Sequence, residues 1–148
     1  MRRLSLYVLR ASAVLVFVAG IMHLSMTGHL MRWFHTMAVP HSDVARAAML
    51  LNHVVAGILL LPLGIALAAI GQPLSRAEPW AIAIGTSCSL ALLALPVVLM
   101  FTVRDAMLDA PIFVAAAIML SVASIAVAVS VVQLWSSAPR PYRRDAGR

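Results

Sequence analysis

Long apolar runs without charges constrain this chain more than any other feature of its sequence. The clearest is Val54 to Ile70, which has 17 consecutive residues without an ionisable or strongly polar side chain. Hydrophobic residues make up 63% of the 148 positions and charged residues 11%, a balance that excludes a soluble globular fold. Such runs are typical of transmembrane helices, because the hydrocarbon core of a bilayer requires about 20 apolar residues.

Four such runs predict four membrane spans. Their predicted bounds are about residues 4–26, 43–70, 80–103 and 112–135. Backbone groups in lipid must be hydrogen-bonded within the segment, so the spans are predicted to be helices. Their apolarity lacks the alternation of an outer-membrane barrel. The predicted fold is therefore an all-α integral membrane protein, a four-transmembrane-helix bundle in one domain over residues 1–137.

Loops, prolines and a capping sequence complete this predicted architecture. Residues 27–42 form an outer loop, and residues 138–148 form a basic tail. Pro62 and Pro96 lie inside spans two and three and predict a kink in each, because proline removes a helix hydrogen bond. The stretch Ser75-Arg76-Ala77-Glu78 resembles a capping box that starts span three.

Arginine distribution predicts the orientation. An even number of spans places both termini on one side, together with eight of the eleven arginines, and leaves three on the other side. The positive-inside rule then places both termini in the cytoplasm and the protein in the inner membrane. The basic, apolar N-terminus has no convincing cleavage site and is interpreted as an uncleaved anchor.

Partners follow from the same pattern. The net charge of +6 does not indicate nucleic acid, because the arginines lie at the ends of apolar runs instead of forming a basic face. The lipid bilayer is the expected environment. Small residues on span four suit close contact with another helix, of this chain, of a partner subunit or of a second copy. The single cysteine, Cys88, has no intrachain disulfide partner.

Histidines are concentrated between Gly20 and His41. Four of the five occur there at intervals of six residues, namely His23, His29, His35 and His41. Six residues of helix advance about 600°, so successive side chains point about 240° apart, whereas two helical histidines that share a metal ion are three or four residues apart. The spacing alone therefore predicts no chelating site.

His23 and His53 differ from the other histidines. Each is expected near the outer boundary of the hydrocarbon, on a helix face with small residues, Gly20 for His23 and Gly57 for His53. Small residues mark faces where transmembrane helices approach each other, so both imidazoles are predicted to point inwards. An ionisable residue inside a membrane protein is a candidate functional site.

Three hypotheses follow for this pair. His23 and His53 bind haem b as axial ligands, with Gly20 and Gly57 leaving room for the macrocycle. Alternatively, they bind copper or zinc with a third histidine, which is His29, His35 or His41, and nearby methionines supply soft ligands for Cu(I). In the third hypothesis no cofactor is bound, the pair holds two helices together, and the protein is a scaffold or accessory subunit.

Catalytic signatures do not favour an enzyme. The sequence has no glycine-rich phosphate loop, no G-x-S-x-G, no H-E-x-x-H and no CxxC. No span has a carboxylate at mid-depth, which argues against a proton-driven transporter. Electron transfer or metal handling at the outer face is the function that the sequence predicts, with the scaffold as its alternative.

Overall fold

The computed structural model describes residues 2–36, 43–102 and 111–137, and these residues are all-helical apart from short turns. Four helices occupy the described ranges: α1 (Arg2–Thr36), α2 (Asp43–Ser75), α3 (Pro79–Thr102) and α4 (Pro111–Ser136). Each is long and apolar enough to cross a membrane. The prediction of an all-α protein with four candidate membrane-spanning helices is confirmed, and these apolar helices indicate a lipid bilayer environment.

The first two helices are longer than the sequence predicted. Residues 27–36, predicted to belong to an outer loop, continue α1 as a regular helix, and α2 continues past residue 70 to Ser75. At about 1.5 Å per residue, α1 and α2 are each about 50 Å long, well beyond a hydrocarbon core of about 30 Å. The end of an apolar run is not necessarily the end of a helix. Residues 27–36 contain no proline, so nothing in their sequence interrupts the helix.

The chain divides into two compact units. The terminal unit comprises residues 1–12 and 67–148, and the hairpin unit comprises residues 13–66. The terminal unit therefore contains α3 and α4 with the first residues of α1 and the last residues of α2. The hairpin unit contains the remainder of α1 and α2.

The terminal unit has a buried aliphatic core. Its fully buried large side chains are Leu9, Leu67, Ile70, Leu74, Leu92, Val127 and Leu134. Helices α3 and α4 pack against each other, and a Cβ added at Gly85 would lie 3.2 Å from Val131. The buried Ser124 hydroxyl lies within hydrogen-bond distance of two carbonyl oxygens, that of Leu92 on α3 at 2.8 Å and that of Leu120 in its own helix, and its single proton is donated to one or shared between them.

Polar contacts also join the start of α1 to the ends of α4 and α2 within the terminal unit. Ser5 Oγ on α1 donates a hydrogen bond of 2.6 Å to Gln133 Oε1 on α4, and Arg2 donates to the carbonyl of Ser75. A cavity of about 360 Å³ lies along α1 and α4 beside this pair. Its lining is aliphatic except at the serines and Gln133.

The turn between α2 and α3 corrects the predicted capping box. Ala77 has a left-handed backbone with φ 57°, and the amides of Ala77 and Glu78 donate to the carbonyls of Leu74 and Pro73. This is a Schellman motif, so these residues end α2. The Ser75 hydroxyl donates to Gln72 of its own helix instead of capping α3. The carbonyl of Glu78 accepts the first hydrogen bonds of α3.

Prolines lie within the helices that were predicted to contain them. Pro96 is buried inside α3, and Pro62 is exposed inside α2, and each helix is assigned as continuous through its proline. The predicted kinks remain predictions. Pro79 occupies the first position of α3. An N–H at this position would have no acceptor within the helix, so its absence costs no hydrogen bond, and the fixed φ of proline suits the helix.

Candidate functional site

The site consists of His23 on α1 and His53 on α2, both in the hairpin unit. Their imidazole rings are stacked, with centroids 4.7 Å apart and ring planes inclined by 24°. The structure therefore brings together the two histidines that the sequence selected. His53 lies four residues after the start of the candidate span Met49–Ser75, and His23 lies ten residues before the end of the span Arg2–Trp33.

Glycines set the register that brings the rings together. A Cβ added at Gly20 would lie 3.0 Å from the carbonyl oxygen of Gly57, and one at Gly64 would lie 2.9 Å from that of Ala13. Low numbers on α1 thus face high numbers on α2, so the helices are antiparallel and in backbone contact. His23 lies three residues after Gly20 and His53 four before Gly57, which places both at the same level.

The space beside the two nearest glycines is filled. A Cβ at Gly57 would lie 2.9 Å from the Leu24 side chain, and one at Gly20 would lie 3.1 Å from Leu61. Gly20 and Gly57 are buried because they allow the two backbones to approach. They leave no room for a macrocycle in this arrangement, contrary to the reason for which the sequence analysis selected them.

One nitrogen of His23 has a defined role. Nδ1 lies 3.1 Å from the carbonyl oxygen of Ala19, one helical turn earlier. A carbonyl oxygen can only accept a hydrogen bond, so Nδ1 carries the proton when this bond forms. In the neutral imidazole, Nε2 then has the lone pair. Metal-binding histidines have the same arrangement, in which a backbone carbonyl fixes the tautomer and leaves the other nitrogen to coordinate.

His53 has a buried nitrogen without a partner. Nε2 of His53 is buried and has no hydrogen-bond partner. Within the described parts of the chain, no other buried side-chain nitrogen or oxygen is in this state. Leaving such a group unpaired costs about 1–3 kcal/mol, so a native protein usually pairs it with another group, a water molecule or a bound ion. The ring of His53 is therefore the most informative part of the site.

Among the other predicted histidine ligands, only His29 has a side chain within the described part of the chain. His29 lies on α1 with an exposed side chain, as expected from the 240° rotation between positions six residues apart. The side chain of His35, on the last turn of α1, lies outside the described part of the chain, as does His41. Among the described residues, no group of three or more His, Cys, Asp or Glu side chains is placed to hold a metal ion.

Two methionines share helix faces with the histidines. Met26 follows His23 by three residues, and Met49 precedes His53 by four. Positions three or four apart are neighbours on a helix surface. Since the helices are antiparallel, both methionines lie about one turn beyond the imidazoles towards the same end of the hairpin unit. Both are about half exposed.

A test of fit separates haem from a small ion. The lone pair of imidazole lies in the ring plane, so axial ligands of haem must face each other edge-on across the porphyrin. The rings of His23 and His53 instead face each other with their planes, and Gly20 and Gly57 hold the backbones in contact. A small ion has no macrocycle to accommodate between the helices and requires only nitrogen donors at about 2 Å.

Two parts of the site were not predicted from the sequence. The first is the Ala19 carbonyl, although its position four residues before His23 is the usual acceptor for a polar side chain on a helix. The second is the pair Leu24 and Leu61, which fill the space beside the glycines and are seen only in the three-dimensional register. Comparison with known protein families, curated proteins and solved structures finds no match to this chain.

Proposed function

We propose that this protein binds a transition-metal ion through the imidazoles of His23 and His53 and serves metal handling or electron transfer at the membrane. The single observation that supports this proposal is the buried, unpartnered Nε2 of His53 stacked against His23. The hydrogen bond from Nδ1 of His23 to Ala19 adds to it, because it directs the second nitrogen donor to Nε2.

Haem b is the less favoured occupant of the same residues. The two imidazoles have the right chemistry for its axial positions, but their face-to-face stacking and the contact between Gly20 and Gly57 do not present opposed donors. No step of the proposed function depends on haem. A bound ion supplies Lewis acidity or a one-electron couple, and the chain supplies neutral nitrogen donors inside an apolar setting.

The proposal includes an orientation. Both termini are placed in the cytoplasm because eight arginines lie on their side and three on the opposite side. The histidine pair is then near the outer face of the inner membrane. An ion would reach it from outside the cell or from the periplasm. Reporter fusions at the C-terminus and at residue 39 would give opposite signals if this orientation is right.

A second candidate function rests on a separate observation. The stacked rings and the glycine contact together resemble a packing device, since small residues and aromatic stacking both stabilise helix pairs without an ion. In that case the protein is a cofactor-free scaffold or an accessory subunit of a larger membrane complex. The two functions differ in what removal of an imidazole does to metal content.

The test is metal analysis combined with absorption spectroscopy on detergent-purified protein. We expect one equivalent of a transition metal in the parent chain and its loss in His23→Ala and His53→Ala. His29→Ala is the matched control, because its side chain is exposed on the same helix, and it should retain most of the metal. A Soret band that sharpens on reduction would establish haem instead. Metal-free and colourless protein from cells supplied with haem and metals would favour the scaffold.

A further inference from the structure

We infer that the ion held by His23 and His53 is the monovalent soft cation Cu(I) and that the site discriminates against Zn(II). This inference rests on the proposed function and names its ligand. Three features support it: imidazole is a neutral donor when it binds a metal ion, the described residues place no carboxylate in a metal-binding group with the pair, and two thioethers lie on the same helix faces as the histidines.

The donor set carries no negative charge. Two neutral imidazoles leave the full charge of a bound ion uncompensated. Between residues 13 and 66 the sequence has one acidic residue, Asp43, which precedes His53 by ten positions, or about 15 Å along a helix. The side chain of Asp43 lies outside the described part of the chain. Among the described residues, no carboxylate joins the histidines in a group that would hold a metal.

Uncompensated charge discriminates between ions of different valence. The Born energy of placing an ion in a medium of low dielectric constant rises with the square of its charge, so a divalent ion is penalised about four times as strongly as a monovalent one of the same size.

Ligand softness points to the same ion. Thioethers select Cu(I), and imidazole also suits copper. Met26 and Met49 lie one turn from His23 and His53, towards the same end of the antiparallel helices. A set of two imidazoles and one or two thioethers agrees with the lack of a third described histidine, cysteine or carboxylate at the pair. Zn(II) sites, in contrast, are commonly completed by anionic thiolates or carboxylates.

The experiment is a pair of competition titrations on the full-length protein in detergent. Cu(I) is titrated without oxygen against a coloured Cu(I) chelator, and Zn(II) against a coloured Zn(II) chelator. We expect one Cu(I) per chain and an affinity for Zn(II) at least about 100-fold weaker. His53→Ala should weaken Cu(I) binding about 100-fold. Met26→Leu with Met49→Leu should weaken it about tenfold and leave Zn(II) binding unchanged.

A spectroscopic measurement covers the case in which a variant fails to fold. The parent protein, with ¹⁵N-labelled histidine, is titrated with Ag(I), a redox-inert substitute for Cu(I). The Nε2 signals of His23 and His53 should shift together at one equivalent, while the signal of exposed His29 stays in place. Met119→Leu, on an exposed face of α4, is the control for the methionine variants and should not change Cu(I) binding.

Different failures have different meanings. Zn(II) binding as tight as Cu(I) binding, with both lost in His53→Ala, would overturn the choice of ion and support the proposed metal site. No shift with Ag(I) and no binding of Cu(I) or Zn(II) would overturn both. Cu(I) binding that is unchanged by the two methionine substitutions would overturn the thioether part of the inference.

Discussion

Buried polar side chains differ in their hydrogen bonding between the hairpin unit and the terminal unit. In the terminal unit, Ser124 donates across the helix contact to Leu92, and buried Ser89 donates to the carbonyl of Gly85. In the hairpin unit, two imidazoles are stacked and Nε2 of His53 is buried without a partner. A hydroxyl bonded to a helix carbonyl is sufficiently explained by packing. An unpaired nitrogen is not, because it opposes folding unless another group, a water molecule or a bound ion compensates it.

The contact between helices also differs. Close packing in the hairpin unit depends on glycine against backbone, as at Gly20 and Gly57, whereas Gly85 in the terminal unit faces aliphatic side chains. A backbone cannot move aside as easily as the end of a side chain. The register of α1 on α2, and with it the level of the two histidines, is therefore less tolerant of added volume.

The largest expected effect comes from filling the backbone contact. A Cβ at Gly64 would lie 2.8 Å from the backbone nitrogen of Phe17 and 2.9 Å from the carbonyl oxygen of Ala13. Gly64→Ala should therefore lower the free energy of unfolding by about 2 kcal/mol through overpacking. SDS titration of the purified protein, followed by circular dichroism, measures this change.

Gly28→Ala is the matched control for this substitution. Gly28 lies in the same unit, on α1, and the nearest atom to an added Cβ is 3.9 Å away in the Arg32 side chain. Alanine is the better helix former by about 1 kcal/mol, so this variant should be at least as stable as the parent. Equal destabilisation of the two variants would show that the backbone contact does not set the register.

The second prediction compares the two kinds of buried polar group. Ser124→Ala removes a bonded hydroxyl and should lower the free energy of unfolding by about 1 kcal/mol. His53→Leu removes an unpaired nitrogen and should leave the metal-free protein unchanged or stabilise it by up to about 1 kcal/mol. The same SDS titration, performed after chelation, measures both.

A large loss of stability in His53→Leu would reverse this comparison. It would mean that the stacked imidazoles hold α1 and α2 together without an ion, which is the scaffold alternative. If His53→Leu instead loses the metal while its free energy of unfolding is unchanged, His53 serves binding and does not contribute to stability.

The third prediction concerns the turn between α2 and α3, in the terminal unit. Ala77 has a φ of 57°, in the left-handed region that disfavours a residue with a Cβ. Ala77→Gly should raise the free energy of unfolding by about 1 kcal/mol. Ala83→Gly, at an exposed position inside α3, should lower it by about the same amount. A loss of stability in both variants would contradict the assignment of a Schellman motif.

The smallest expected effect is the coupling between Ser5 and Gln133. Their hydrogen bond of 2.6 Å joins α1 to α4 within the terminal unit. A double-mutant cycle with Ser5→Ala and Gln133→Leu should give a coupling energy of about 0.6 kcal/mol, a usual value for such bonds in membrane proteins. Strictly additive effects would mean that this pair does not contribute to the contact of α1 with α4.

Much of the architecture could be predicted from local properties of the sequence. The four spans follow from apolarity alone, since lipid leaves the backbone no alternative to helix when no barrel pattern is present. The inward placement of His23 and His53 followed from small residues at helical spacing, and the structure brings these two rings together. Helix ends were predicted less well, because the predicted outer loop is helical as far as Thr36.

The sequence by itself determined the helical class and the positions of the four apolar spans, and it selected two histidines whose rings the structure brings together. These depend on composition and on the period of a helix, which act over a few residues. Only the tertiary structure decided that the rings stack, that Gly20 and Gly57 bring backbones together instead of leaving space, and that Nε2 of His53 has no partner. Those facts depend on the register of α1 against α2, which is set by contacts between residues about 30 to 50 positions apart.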